Sequence, residues 1–268
     1  MKWTARKLRD LKGGDPFAAL TAYDAFTGRV ADEAGLPMCL VGDSLAGTVL
    51  GYDDTLPVTM GEMLHHAAAV GRVVTSALIV ADMPFMSYQP SVADGLRSAG
   101  RFLKEARSDA VKIEGGAHRA ELISACRENG IPVLGHIGLT PQSVRELGGY
   151  RVQGREPEEV RRLLDDAMAV EQAGAFAVVL ECMPASLGAK ITEALSIPTI
   201  GIGAGPDCDG QVLVISDLLG MNRGRAPRFV KRYADFASEA QRAVEAFRDE
   251  VGSRRFPSSE HCYGGDAR

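Results

Sequence analysis

The sequence carries no excess of positive charge: Lys+Arg 30 stand against Asp+Glu 35, for a net charge of −5. Without a basic face, a nucleic-acid partner is disfavoured. No apolar run approaches the roughly 18 residues that a membrane helix needs. The opening MKWTARKLRDLKGG is basic but has no apolar centre and no cleavage-type sequel, so it does not read as a signal peptide. Cysteine is sparse: Cys39, Cys126, Cys182, Cys208 and Cys262 are odd in number, scattered, and form no C-x-x-C pair. That excludes a disulfide framework or a structural zinc site and points to a reducing cytoplasm. Linkers, internal repeats and low-complexity tracts are missing too, so one domain is expected over residues 1–268, with an extended C-terminal tail from about 252.

What is present suits a large core, since 46% of the 268 residues are hydrophobic and 24% charged. Eight short apolar, β-branched runs recur, at 17–23, 38–43, 78–82, 110–114, 132–137, 177–182, 198–202 and 211–216. Their nearly continuous hydrophobicity fits parallel strands buried on both faces. Helix signals fill the intervals. Thr59 and Glu62 have capping-box spacing, Ser91 and Asp94 open a second helix, and Gly130 and Gly174 follow periodic stretches. A last helix is expected from about Pro227 to Glu250, with Phe229, Tyr233, Phe236, Ala240, Val244 and Phe247 on one stripe. Eight alternating units predict a (β/α)8 TIM barrel. The interval between Ile202 and Gln211 is too short for a crossover helix. Either that helix is vestigial or 211–216 is no strand, which leaves an open doubly wound sheet as the alternative. The long, glycine-containing loop 139–155 is expected to be a mobile or a site-lining segment.

Barrel active sites gather at the C-terminal strand ends. Asp43, Asp82, Glu114 and Glu181 fall there, Lys112 shares the inward side of its strand with Glu114, and His136 ends the next strand. Any one of these acids reads most simply as a salt bridge or loop anchor. Together they describe a site for a hard divalent ion such as Mg²⁺, since oxygen ligands converge without thiolates. GIGAG at 201–205 lacks the full dinucleotide pattern and reads as tight turns. His65 and His66 diverge on a helix, His118 and His261 read as surface residues, and Cys182 reads as a structural thiol.

The segments LTAYD (20–24), LVGDS (40–44), DDTLPVTMGEM (53–63), ADMPFMSY (81–88), VKIEGG (111–116), GHIGLTPQS (135–143), GGYRVQGR (148–155), LECMP (180–184) and IPTIGIGAG with CDGQVLV (197–214) closely resemble the ketopantoate hydroxymethyltransferase family. The resemblance implies a barrel of the phosphoenolpyruvate/pyruvate-binding type and a homo-oligomer, often a decamer. It implies transfer of a hydroxymethyl group from 5,10-methylenetetrahydrofolate to 3-methyl-2-oxobutanoate, with Mg²⁺, in pantothenate biosynthesis. By the same resemblance Asp43 and Asp82 ligate the metal and Glu114 completes its surroundings. Asp43, Ser44, Asp82 and Lys112 bind the keto acid, Glu181 accepts the proton, and His136 stands behind them. Ala46-Gly47 departs from the Gly-Met common in the family, beside the site. The alternatives are another Mg²⁺-dependent enolate enzyme of the same barrel, a lyase or mutase, or a barrel that binds a metabolite without chemistry. The first lacks support because no K-C-G-H loop is present, the second because the acid set is intact.

Overall fold

Each apolar run becomes a strand. In a computed structural model, which describes residues 2–224 and 226–263, they are β1 (Phe17–Thr21), β2 (Met38–Val41), β3 (Leu78–Asp82), β4 (Ala110–Glu114), β5 (Val133–Gly138), β6 (Ala177–Glu181), β7 (Thr199–Ile202) and β8 (Gly210–Leu213). They pair in parallel in chain order, and β8 closes onto β1, with Ala18 opposite Gln211 and Leu20 opposite Leu213. Closure removes every sheet edge, which settles the choice between barrel and open sheet. The helices are α1 (Ala5–Arg9), α2 (Ala25–Glu33), α3 (Met60–Gly71), α4 (Val92–Ala106), α5 (Ala120–Glu128), α6 (Pro157–Ala173), α7 (Ala185–Ala194), α8 (Ile215–Leu218) and α9 (Phe236–Gly252). Thr59 and Glu62 form the expected reciprocal cap of α3, and Ser91 accepts from the Asp94 N–H at the head of α4.

The β7–β8 connection has no helix. Instead the chain turns through Gly203 and Gly205, at φ +69° and +91°, conformations that favour glycine. Asp209 secures this turn by accepting from the Thr199 and Gly13 N–H groups and from Lys12 Nζ. At the N-terminal end of the barrel, Leu8 of α1 is fully buried in a cluster with Ala19, Met38, Leu78 and Phe176. One end is thus plugged by apolar packing, and chemistry is confined to the other.

Asp32, at the end of α2, accepts from the Thr75, Ser76 and Ala77 N–H groups that lead into β3. Burial works upward on its pKa, but the bonds from Thr75, Ala77 and Ser76 outweigh it and hold the carboxyl below its ordinary 3.8. A depressed carboxylate stabilises the fold above the unfolded value, and that contribution is lost as pH falls through the folded one. Asp32→Ala is therefore expected to cost about 1–3 kcal/mol at pH 7. In urea titrations its difference from the unaltered protein should shrink below about pH 4.

The chain divides into two compact units, Met1–Ile215 and Ser216–Arg268. In the second, the last helix begins at Phe236 rather than near Pro227. Arg228, Lys231 and Arg232 would crowd positive charge against a helix N-terminus, whereas Asp235 at the cap and Glu239 in the first turn suit it. Phe229 and Tyr233 therefore lie outside the helical stripe. No residue of α9 is buried, and its Phe236, Val244, Phe247 and Val251 are 42–66% exposed. Beyond it, Phe256 stacks edge-on against Phe247, 5.4 Å between centroids, and the Arg255 and Phe256 N–H groups donate to Glu250 O.

Candidate active site

Strand register assembles the site. Asp82 is aligned with Lys112, Glu114 with His136, and Gly138 with Glu181, so adjacent inward side chains meet across neighbouring strands at the C-terminal end. Lys112 Nζ lies 3.0 Å from Asp82 Oδ2 and 3.7 Å from Glu114 Oε1. Asp43, just past β2, donates its backbone N–H to Asp82 Oδ2 at 3.0 Å. Ser44 Oγ is 2.8 Å from the Tyr23 hydroxyl. A Cβ built on Gly42 would come within 2.8 Å of Ser44 Oγ and 3.6 Å of Asp82 Oδ2, so glycine keeps that hollow open. All seven residues expected at the site are brought together.

Burial sets the electrostatics. Asp43, Asp82, Lys112, Glu114 and His136 are all at most 6% exposed. Burial first, then the Asp82 and Glu114 charges, hold the Asp43 carboxyl well above the usual carboxylate range. Burial also works upward on Glu114, but bonding to His136 and the Lys112 charge prevail and lower it. Burial works downward on Lys112 and is overcome by Asp82, Glu114 and Asp43, which raise it. Burial and Lys112 likewise lower His136, yet its bonds to Glu114 and Glu181 push it up to about 9.

His136 Nδ1 sits 3.1 Å from Lys112 Nζ and 3.4 Å from Glu114 Oε1. It accepts from the lysine when neutral and donates to the glutamate when protonated. In both states Nε2–H faces Glu181 Oε2, 3.1 Å away, at ion-pair distance without good hydrogen-bond alignment.

Glu181 is held through its backbone. Leu139 N–H donates to Glu181 O and Gln153 N–H to Cys182 O, so the long loop is tied at both ends to this segment. A Cβ on Gly138 would meet Glu181 O at 2.3 Å, and φ there is +97°, so only glycine allows the approach. Cys182 turns the chain away at φ +49°, a strained value for a side-chain-bearing residue. Its half-buried thiol is pushed up to about 11 by burial and Glu181, which fits a structural role.

Among the described residues no group of three His, Cys, Asp or Glu side chains is arranged to hold an ion unaided. The donor set nevertheless fits a partial shell. Asp82 Oδ1 is buried without a hydrogen-bond partner and Glu114 Oε1 has only the ion-pair contacts with His136 and Lys112, while the other oxygen of each is engaged. A hard cation completed by substrate oxygens would favour the ionised form of Asp43 and engage the oxygens of Asp82 and Glu114.

Sequence reading passed over Tyr23, Tyr88 and Gln142, which hold these groups in place. Each lies within a quoted motif, LTAYD, ADMPFMSY or GHIGLTPQS, and a buried hydroxyl or amide inside a site motif is the available signal.

The profile of the family described as Ketopantoate hydroxymethyltransferase matches residues 2–259. The chain belongs to the ketopantoate hydroxymethyltransferase family. The 3-methyl-2-oxobutanoate hydroxymethyltransferase of Carboxydothermus hydrogenoformans is 55% identical over 261 residues, covering 97% of this chain and 95% of that protein. The enzyme of the same name from Moorella thermoacetica is 54% identical over 250 residues, 93% of each. Among solved structures, phosphoenolpyruvate phosphomutase from Streptomyces platensis subsp. rosaceus superposes with a TM-score of 0.61 at 16% identity, covering 97% of this chain and 92% of that one. 2,3-Dimethylmalate lyase, described as a PEP mutase/isocitrate lyase superfamily member, gives 0.57 at 19%, covering 98% and 93%. These two share the fold, a (β/α)8 barrel, whereas the family profile and the near-full-length relatives speak to the reaction.

Proposed function

We propose that the carboxylate, lysine and histidine cluster at the barrel mouth is the active centre at which a hydroxymethyl group passes from 5,10-methylenetetrahydrofolate to 3-methyl-2-oxobutanoate. The chain is a hydroxymethyltransferase of pantothenate biosynthesis, forming 2-dehydropantoate and tetrahydrofolate, with water supplying the hydroxyl oxygen. The observation that carries the placement is the aligned layer of Asp82 with Lys112 and Glu114 with His136, with Asp82 Oδ1 buried and unpartnered.

Asp43 and Asp82 would hold Mg²⁺, with Glu114 completing its surroundings. Bound there, the ion would supply the Lewis acidity that stabilises the enolate of a 2-oxo acid. Ser44, fixed by Tyr23, and Lys112 orient the keto acid, and the ammonium meets negative charge developing on its oxygen. Glu181 takes the proton from C3, and His136 Nε2–H restrains the carboxylate that does so. The C3 carbanion then bonds to the folate-borne carbon, whose C–N bonds to the folate break as water supplies the hydroxyl and the nitrogens are protonated, leaving tetrahydrofolate. Tetrahydrofolate release that depends on both 3-methyl-2-oxobutanoate and Mg²⁺ is the expected result; release without the keto acid would refute the assignment.

A homo-oligomer, a decamer by likeness to the family, is part of the same reading. Phe236, Val244, Phe247 and Val251 recur at helical spacing and stand exposed on α9, an apolar stripe that a second copy would cover. Light scattering at micromolar concentration should show no stable monomer, and Val244→Glu with Phe247→Glu should shift the species toward smaller ones. We place the enzyme in the cytoplasm: all five cysteines are free, and among the described residues no helix is long and apolar enough to cross a membrane.

A further inference from the structure

The turn Pro141–Ser143 follows β5 and carries Gln142, 5% exposed, beneath the carboxylates. A carboxamide has two N–H donors and two lone pairs on oxygen, and here all four are used. Nε2 donates to Asp43 Oδ2 and to Met83 O, both at 2.9 Å. Oε1 accepts from the Tyr88 hydroxyl and from Gln89 Nε2, again at 2.9 Å. The nitrogen faces only acceptors and the oxygen only donors, so the amide has one possible orientation. The backbone N–H of the same residue donates to Glu114 Oε2 at 3.0 Å. One residue thus grips two acids, one after β2 and one on β4, and leaves Glu114 Oε1 to its ion-pair contacts with His136 and Lys112.

Left to themselves, Asp43 and Glu114 are like charges in a buried space and would rotate apart or take up a proton. Donors on their outer oxygens offset that repulsion while leaving the remaining oxygens free. The amide also donates to Met83 O, but that single backbone bond does not call for the two bonds to carboxylates.

We infer that Gln142 is a positioning residue of the cation site, its side chain fixing the rotamer of Asp43 and its backbone N–H that of Glu114. The inference rests on the proposed place of Mg²⁺ among these acids. It says that the amide sets affinity for the ion, and through it for the keto acid, without touching the reacting atoms.

Gln142→Met keeps length and volume, removes both side-chain donors and leaves the backbone bond to Glu114. Calorimetric titration with Mg²⁺, without keto acid or folate, should show Kd raised roughly tenfold to hundredfold, the range for lost outer partners of ligands. KM for 3-methyl-2-oxobutanoate should rise in step, whereas kcat at saturating Mg²⁺ and keto acid should fall by less than about fivefold. Asp43→Asn, titrated alongside, is expected to bind the ion more weakly still. Gln142→Met that binds Mg²⁺ within twofold of the unaltered protein, with only a lower Tm, would mean that the amide merely packs the loop. If Asp43→Asn also bound Mg²⁺ normally, the place of the ion would be wrong, and the role of Gln142 would fall with it. Should Gln142→Met not fold, Gln89→Met removes one bond that orients the amide. It should raise the Mg²⁺ Kd roughly threefold to tenfold, and an unchanged Kd overturns the inference.

Discussion

Glu181→Gln is expected to lower kcat by roughly 10²–10⁴, the usual effect of losing a general base. The substitution keeps the size of the side chain and leaves an oxygen for His136 Nε2–H, 3.1 Å away in the unaltered protein. It removes the capacity to accept the C3 proton. Mg²⁺ binding and KM for the keto acid should change little, because Glu181 stands on β6, across His136 from the proposed ligands on β2, β3 and β4. A kcat within tenfold of the unaltered enzyme would move the base elsewhere, and His136 would be the next group to test.

The second large effect concerns the cation. Chelation should abolish turnover and Mg²⁺ should restore it. Asp43→Ala should weaken Mg²⁺ by at least roughly 100-fold, since losing a direct ligand costs more than losing its outer partner. KM for 3-methyl-2-oxobutanoate should rise with it, because the keto acid and the ion share one site. Substitution of Asp43 removes a buried carboxyl whose ionised form the Asp82 and Glu114 charges disfavour, which offsets the loss of its bond to the Gln142 amide. Full activity in excess chelator would contradict this account.

The eight strands were legible because both faces of a barrel strand are buried, which writes each as an unbroken apolar run. The caps of α3 and α4 were legible because they are local, three residues apart. Closure of the barrel followed from the eight alternating units, but the way β7 reaches β8 without a helix did not, since that turn depends on Asp209 reaching Gly13, 196 residues away in sequence. The start of α9 was misplaced because Pro227 can open a helix, and only the charge order of the following residues argues against it. At the site, charged groups at strand ends could be read from spacing, and their register follows from the fold. Gln142, Tyr88 and Tyr23 could not, because what they do is set by partners that arrive from other loops. Gln142 meets Asp43 across 99 residues and Tyr88 across 54.

The barrel mouth is expected to make an enolate from the keto acid before the folate takes part. Proton NMR of 3-methyl-2-oxobutanoate in D₂O, with the enzyme and Mg²⁺ but no folate, reads this directly. The C3 hydrogen should exchange with solvent at a rate that needs the ion and collapses in Glu181→Gln. Exchange that appears only when a folate is added, or that persists undiminished in Glu181→Gln, would contradict the account.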